Sequence, residues 1–184
     1  MYADMDSWVT SKEFAQLANA REEIFAEWLK ALRSGDYTQG YYTLKESDCS
    51  YDDHYKWCCL GVLSDRIIKS PLSGKVFEWR QNPTGMWYCG HIGDDGNPVK
   101  DSKGMSFLST WMGMALGLTA HGLLKGNFTG GHGLASSLTS LNDGAKSFKD
   151  IADIIERGEF VDFFDNPTEH LKDGQHPTDY GETG

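Results

Sequence analysis

The apolar positions of this chain change period several times, and the changes lay out its elements. Phe14, Leu17, Ala18, Ile24, Phe25, Trp28, Leu29 and Leu32 recur at helical spacing, forming one stripe of an amphipathic helix with a break near Asn19. Thr10-Ser11-Lys12-Glu13 has capping-box spacing and predicts that this helix starts after Thr10. Arg33 suits the negative end of the helix dipole, and Gly35 supplies a left-handed stop. Cys59, Leu63 and Ile67 share one face, flanked by Cys58 and Val62, so Cys58 to Lys69 reads as a second helix that Ser70-Pro71 ends. Ser147 with Asp150 caps a last helix carrying Phe148, Ile151, Ala152 and Ile155 inward, and Gly158 closes it.

Elsewhere the pattern is extended or irregular. Tyr41 to Leu44 reads as a short strand, Lys45 to Lys56 as an exposed polar loop, and Val76 to Trp79 with Met86 to Cys89 as a hairpin around Gln81-Asn82-Pro83-Thr84-Gly85. Residues 90–104 form a long Gly/Asp/Asn/Pro-rich loop, and Phe107 to Met114 a short helix presenting Trp111. The glycine-rich stretch 115–133 fits no single element. Leu134, Leu138 and Leu141 suit either helix or strand, and Asn142-Asp143-Gly144 is a turn signal. The expectation is a single α+β domain over 1–164, followed by a polar tail over 165–184. In it a small antiparallel sheet, built from the Tyr41 and Trp79/Trp87 segments, packs against two to four helices. Trp57 to Leu63, an almost wholly apolar run, anchors the core.

Composition sharpens this in two ways. Six Trp, eight Tyr and nine Phe give a chain of 184 residues enough apolar area for one core despite its modest aliphatic content. The formal net charge of -10, from 27 acids against 17 bases, removes general attraction to a phosphate backbone, so direct nucleic-acid binding is not expected. With no apolar run of about 18 residues, and no basic start or apolar core of a secretion signal in Met1 to Thr10, the chain reads as cytoplasmic and away from membranes. Cys49, Cys58, Cys59 and Cys89 do not resemble a disulfide framework, and free thiols are expected.

Reactive groups are scattered. Cys49, His54, Cys58, Cys59, Cys89 and His91 lack zinc-site spacing, and the Cys58-Cys59 pair sits where apolar surroundings raise a thiol pKa. His121, Gly122 and Gly131-His132-Gly133 match no phosphate-binding loop, and Asp52-Asp53 and Asp94-Asp95 lack the spacing of a calcium loop. No metal or cofactor is therefore expected. The more suggestive set is Arg33, Tyr37, Gln39 and Tyr41 with Trp79, Arg80 and Trp87: forked cations, stacking faces and an amide, suited to a nucleotide-like ligand or to a protein contact.

Three blocks carry a resemblance. Ala31-Leu32-Arg33-Ser34-Gly35-Asp36-Tyr37-Thr38-Gln39, Tyr55-Lys56-Trp57-Cys58-Cys59-Leu60-Gly61-Val62-Leu63, and Leu141-Asn142-Asp143-Gly144-Ala145-Lys146-Ser147-Phe148-Lys149-Asp150-Ile151-Ala152-Asp153-Ile154-Ile155-Glu156 stand in this order. The pattern resembles a family of small, mostly uncharacterised bacteriophage proteins, and it brings no catalytic residue with it. The resemblance implies an accessory protein acting in the infected host cytoplasm against host defence. The first expectation is a non-enzymatic protein that sequesters a nucleotide-like ligand at a site that Asn142 and Asp143 help to line. The second is an inhibitor of a host protein with Trp8, Trp87 or Trp111 as anchors, and the third a metal- or His/Asp-dependent hydrolase using His91, His121 or His132 with nearby acids.

Overall fold

The computed structural model describes residues 5–47, 54–73, 76–93, 96, 97, 99, 103–118, 123–130, 133–144 and 146–158. The tail over 165–184, Cys49, His121 and His132 lie outside the described residues. The fold is α+β, and one hydrophobic cluster runs from Trp8 to Ile155.

The chain enters through α1 (Met5–Val9), which the apolar spacing does not announce, followed by α2 (Lys12–Asn19) and α3 (Arg21–Ser34). Ser11, not Thr10, caps α2, accepting the Phe14 N–H at 2.9 Å. The Thr10 hydroxyl is used instead by the carbonyls of Asp6 and Ser7, at the end of α1. Ala20 separates α2 from α3, at the break expected near Asn19, and Gly35 ends α3 in the left-handed region at φ 81.

Tyr41 to Leu44 is not a strand. The first sheet takes β1 (Thr38–Gln39), β2 (Lys45–Ser47) and β3 (Tyr55–Trp57) in the order β1-β3-β2, with β1 parallel and β2 antiparallel to β3. The intervening chain bends through Tyr42 at φ 66, so the segment expected to be extended is a tight turn. Lys45 is buried at the start of β2, where a polar loop was expected.

Cys58 caps α4 (Cys59–Lys69), its Sγ accepting the Gly61 N–H at 3.3 Å. Gly61 is obligatory, because a Cβ there would overlap the Leu44 carbonyl. The chain then forms the expected hairpin, β4 (Phe77–Gln81) and β5 (Trp87–His91), as a two-stranded sheet of its own. A short helix α5 (Thr110–Leu116) buries Trp111 rather than presenting it, against Trp8, whose indole N–H reaches the Trp111 carbonyl at 3.0 Å. Beyond it β6 (Leu123–Gly130) pairs antiparallel with β7 (Gly133–Ser137). Two capped helices follow, α6 (Leu138–Asp143) behind Ser137 and α7 (Phe148–Glu156) behind Ser147. Asn142 and Asp143 therefore close a helix rather than start a turn. No described helix is long and apolar enough to cross a membrane.

Candidate functional site

The residues singled out in the sequence separate into four places. Arg33 turns onto α7, where its guanidinium meets Asp153 at 2.6 Å and Glu156 at 2.7 Å, so it fastens two helices. Arg80 pairs with Glu78 on its own strand at 3.1 Å and donates to the Gly96 carbonyl at 2.5 Å. Both forks are thus occupied by the protein itself.

Gln39, Asn142 and Asp143 do come together, but as a clamp. The fully buried Asn142 accepts the Cys59 N–H at 3.1 Å and the Gln39 amide at 3.3 Å, and donates to the Gly40 carbonyl at 2.8 Å. Its oxygen thereby satisfies an N–H left open at the start of α4, while its amide nitrogen holds the chain after β1. Gln39 also donates to the Lys146 carbonyl at 2.7 Å. Asp143 accepts the Tyr42 N–H at 2.9 Å and so holds the positive-φ turn that leaves Tyr41 and Tyr42 exposed. A buried amide with all these partners joins elements and has no capacity left for a ligand.

Tyr37, Trp79 and Trp87 belong to a different arrangement, centred on residues that sequence reasoning passed over. The period of two along a strand places Tyr55 and Trp57 on one face of β3, and the β4–β5 register places Trp79 and Trp87 on one face of the hairpin. These faces meet, with Trp57 and Trp79 at 5.5 Å and Tyr55 and Trp87 at 5.6 Å between ring centroids, both edge to face. Lys45, opposite Trp57 in the β2–β3 ladder, sends its ammonium between them. Its Nζ stands 3.8 Å from the Tyr55 centroid, 3.8 Å from Trp87, 5.0 Å from Trp57 and 5.5 Å from Trp79. Four electron-rich faces hold one cation. The Trp87 indole N–H is held by the Ser47 hydroxyl at 2.8 Å.

Behind the rings lies Asp65 of α4, whose side chain is only 4% exposed. It accepts the Tyr37 hydroxyl at 2.6 Å, the Lys69 ammonium at 2.6 Å and the Trp79 indole N–H at 3.3 Å. Burial, followed by the Asp65 hydrogen bond, pushes the Tyr37 phenol up to about 12, so it remains a donor at neutral pH. Burial likewise pushes the Lys45 amine down to about 8, with the Asp65 charge partly opposing the shift. Lys69 also lines a groove of about 210 Å³ with Glu23, Glu27, Arg66 and Ser70.

Lys45 opens a polar stretch whose composition predicts an exposed loop, and Asp65 sits within the apolar run of α4. The signal that could have found them is the Tyr55-Lys56-Trp57 alternation, which puts two aromatic rings on one side of a strand.

The other reactive groups belong to the core. Cys58, Cys59 and Cys89 are free, and burial raises each thiol, Cys58 and Cys89 to about 12. His91 is enclosed by Trp8, Phe77 and Trp111, and burial lowers it to about 4. Among the described residues no three His, Cys, Asp or Glu side chains converge to hold a metal ion. Trp8 and Trp111, expected as surface anchors, are buried.

No curated protein and no solved structure matches the chain. The family model described as Domain of unknown function (DUF8296) matches residues 20–159, a span that includes Lys45, its four rings and Asp65. The chain belongs to the DUF8296 family.

Proposed function

We propose that this protein is a non-enzymatic binding protein whose site is the aromatic cluster around Lys45, and that its ligand is small, planar and nucleotide-like. The observation that carries the reading is the convergence of Tyr55, Trp57, Trp79 and Trp87 from three strands on one cation, with Tyr55, Trp79 and Trp87 only partly buried. Partly buried indoles offer stacking area at low entropic cost, and Lys45 supplies positive charge for a phosphate. The raised thiols and the enclosed His91 favour binding over nucleophilic or acid-base chemistry. The resemblance to small bacteriophage proteins supplies the setting, sequestration of a host signal in the infected cell.

Stacking on an indole quenches its fluorescence, which gives the test. Titration with a panel of mononucleotides and dinucleotides is expected to quench tryptophan emission saturably. Trp87→Ala should weaken the effect at least tenfold and Arg33→Ala should leave it unchanged. Absence of saturable quenching across the panel, together with no nucleobase released from the purified protein on denaturation, overturns the reading.

A second reading, an interface with a host protein, is favoured by one feature. Tyr42 is 71% exposed at φ 66, a conformation that tyrosine adopts at a cost of about 1 kcal/mol or more, and Asp143 maintains it. Tyr41, Met105 and Phe107 are also exposed, with the Leu44 N–H bonded to the Met105 carbonyl at 2.7 Å. Capture of one stoichiometric host protein that is lost with Tyr41→Ala/Tyr42→Ala supports this reading; capture unaffected by the pair removes it.

A further inference from the structure

A lysine is an unusual occupant for four ring faces. Its ammonium carries three N–H donors that seek oxygen acceptors, and a ring face is a weak acceptor. Among the described residues no carboxylate and no hydrogen-bond acceptor pairs with the Lys45 Nζ; the rings at 3.8 to 5.5 Å are its neighbours, and Asp65 acts on it through space. The rings therefore face the charge of the lysine, while its three N–H donors have no protein acceptor among the described residues. A cation without N–H groups has the opposite balance: it is weakly hydrated, loses no hydrogen bonds on entering, and gains the same attraction from the faces. Lys45 also has a flexible four-carbon stem, and withdrawing it restores side-chain entropy.

We propose that Tyr55, Trp57, Trp79 and Trp87 form a binding site for a permanent organic cation, in which Lys45 is the resident and displaceable occupant. This rests on the reading that the cluster is the ligand site, and it names the group recognised there. The planar form of that group is the pyridinium ring of an oxidised nicotinamide nucleotide, and the ring-free form is a quaternary ammonium. For the nucleotide the exchange is balanced in charge, because the ligand's cation replaces Lys45 between the rings and the displaced ammonium becomes available to the ligand's phosphate.

The experiment compares wild type with Lys45→Met, which keeps the length of the side chain and removes its charge. Oxidised nicotinamide mononucleotide, its reduced form, AMP and tetramethylammonium are titrated while tryptophan emission is followed. Lys45→Met is expected to bind tetramethylammonium at least tenfold more tightly than wild type, with a smaller gain for oxidised nicotinamide mononucleotide, whose phosphate loses the displaced ammonium. It should also prefer the oxidised to the reduced nucleotide at least tenfold, and Trp87→Ala in the same background should abolish the gain. Preference for the pyridinium over tetramethylammonium identifies the nucleotide, and the reverse identifies a quaternary ammonium. Equal binding of oxidised nucleotide, reduced nucleotide and AMP overturns this proposal and leaves nucleotide binding standing. No binding of any probe by folded protein overturns both.

A measurement on wild type keeps the test independent of the variant. Saturating tetramethylammonium should increase the acetylation of Lys45 by acetic anhydride severalfold, mapped by mass spectrometry, as the amine leaves the rings. Unchanged labelling counts against displacement.

Discussion

One face of the β4–β5 hairpin carries two aromatic clusters built around a nitrogen base, and they have opposite characters. Phe77, Trp79 and Gln81 stand opposite His91, Cys89 and Trp87, so all six share that face. At one end His91 lies among Phe77, Trp8 and Trp111, each no more than 1% exposed. At the other, Lys45 lies among rings of which Tyr55, Trp79 and Trp87 are only partly buried. Enclosure makes the charged imidazole costly, and His91 is neutral at physiological pH. At the open end burial lowers the Lys45 amine only to about 8, with the Asp65 charge partly opposing the shift, so the amine remains mostly protonated at neutral pH. The same kind of residue pattern is core at one end and candidate site at the other, and burial decides which.

The largest effect is expected at the closed end, where Trp111→Ala removes a fully packed indole and should cost about 4 kcal/mol in urea denaturation. A cost near that of an exposed residue would deny that this end is core. Asn142→Ala comes next, at about 3 kcal/mol, because the Cys59 N–H and the Gly40 carbonyl lose a buried partner. Quenching at the Lys45 cluster should survive in that variant where it remains folded. Loss of ligand affinity beyond the loss of folded protein would return Asn142 to the binding site.

Acid should discriminate the two ends directly. His91 titrates near 6.5 when unfolded and near 4 when folded, so the unfolded chain takes up more protons between those values. Stability is full above 6.5 and is lost as pH falls towards 4, with a slope of at most about 1.4 kcal/mol per pH unit from this residue. A thermal-melting series over that window in wild type and His91→Gln should give a flatter profile for the variant; parallel profiles would contradict the enclosed, neutral histidine.

Trp87→Ala at the open end should cost only about 1 kcal/mol, the worth of an exposed cation–π contact and a partly buried ring, while removing ligand quenching. A cost as large as that of Trp111→Ala would show that the open cluster is structural. The smallest effect belongs to Arg33→Ala, about 0.5 kcal/mol, since the ion pairs with Asp153 and Glu156 are exposed to solvent and salt. Affinity for the ligand should be unaltered; a tenfold loss would restore Arg33 to the site.

Much of the helical part was legible in the residues. The stripe from Phe14 to Leu32, Gly35 as its stop, the Cys59-Leu63-Ile67 face and the Ser147 cap are local patterns whose physics lies within a few residues of chain, and all form as read. The apolar run at Trp57 to Leu63 also lies in the core as expected, with Cys58 as a cap and Gly61 as the point where the Leu44 backbone passes. Thr10 misled because two neighbouring hydroxyls compete for one cap, and α1, an element of five residues, takes Thr10 for its own end. The Tyr41 strand misled because β-propensity describes a side chain on a sheet, whereas Asp143, distant in sequence, bends that backbone through Tyr42.

Spacing within single segments was enough to fix the amphipathic helices, the Gly35 stop, the Ser147 cap, the aromatic hairpin and the supply of rings for a core. It also determined an α+β chain. What the polar residues do was settled by packing between distant segments. Arg33 met its acids on α7, Asn142 met the start of α4, and Lys45 met rings from three strands, through contacts between segments far apart along the chain. A side chain's role depends on whether its partners are protein or solvent, and that is fixed where elements pack, which no local pattern records.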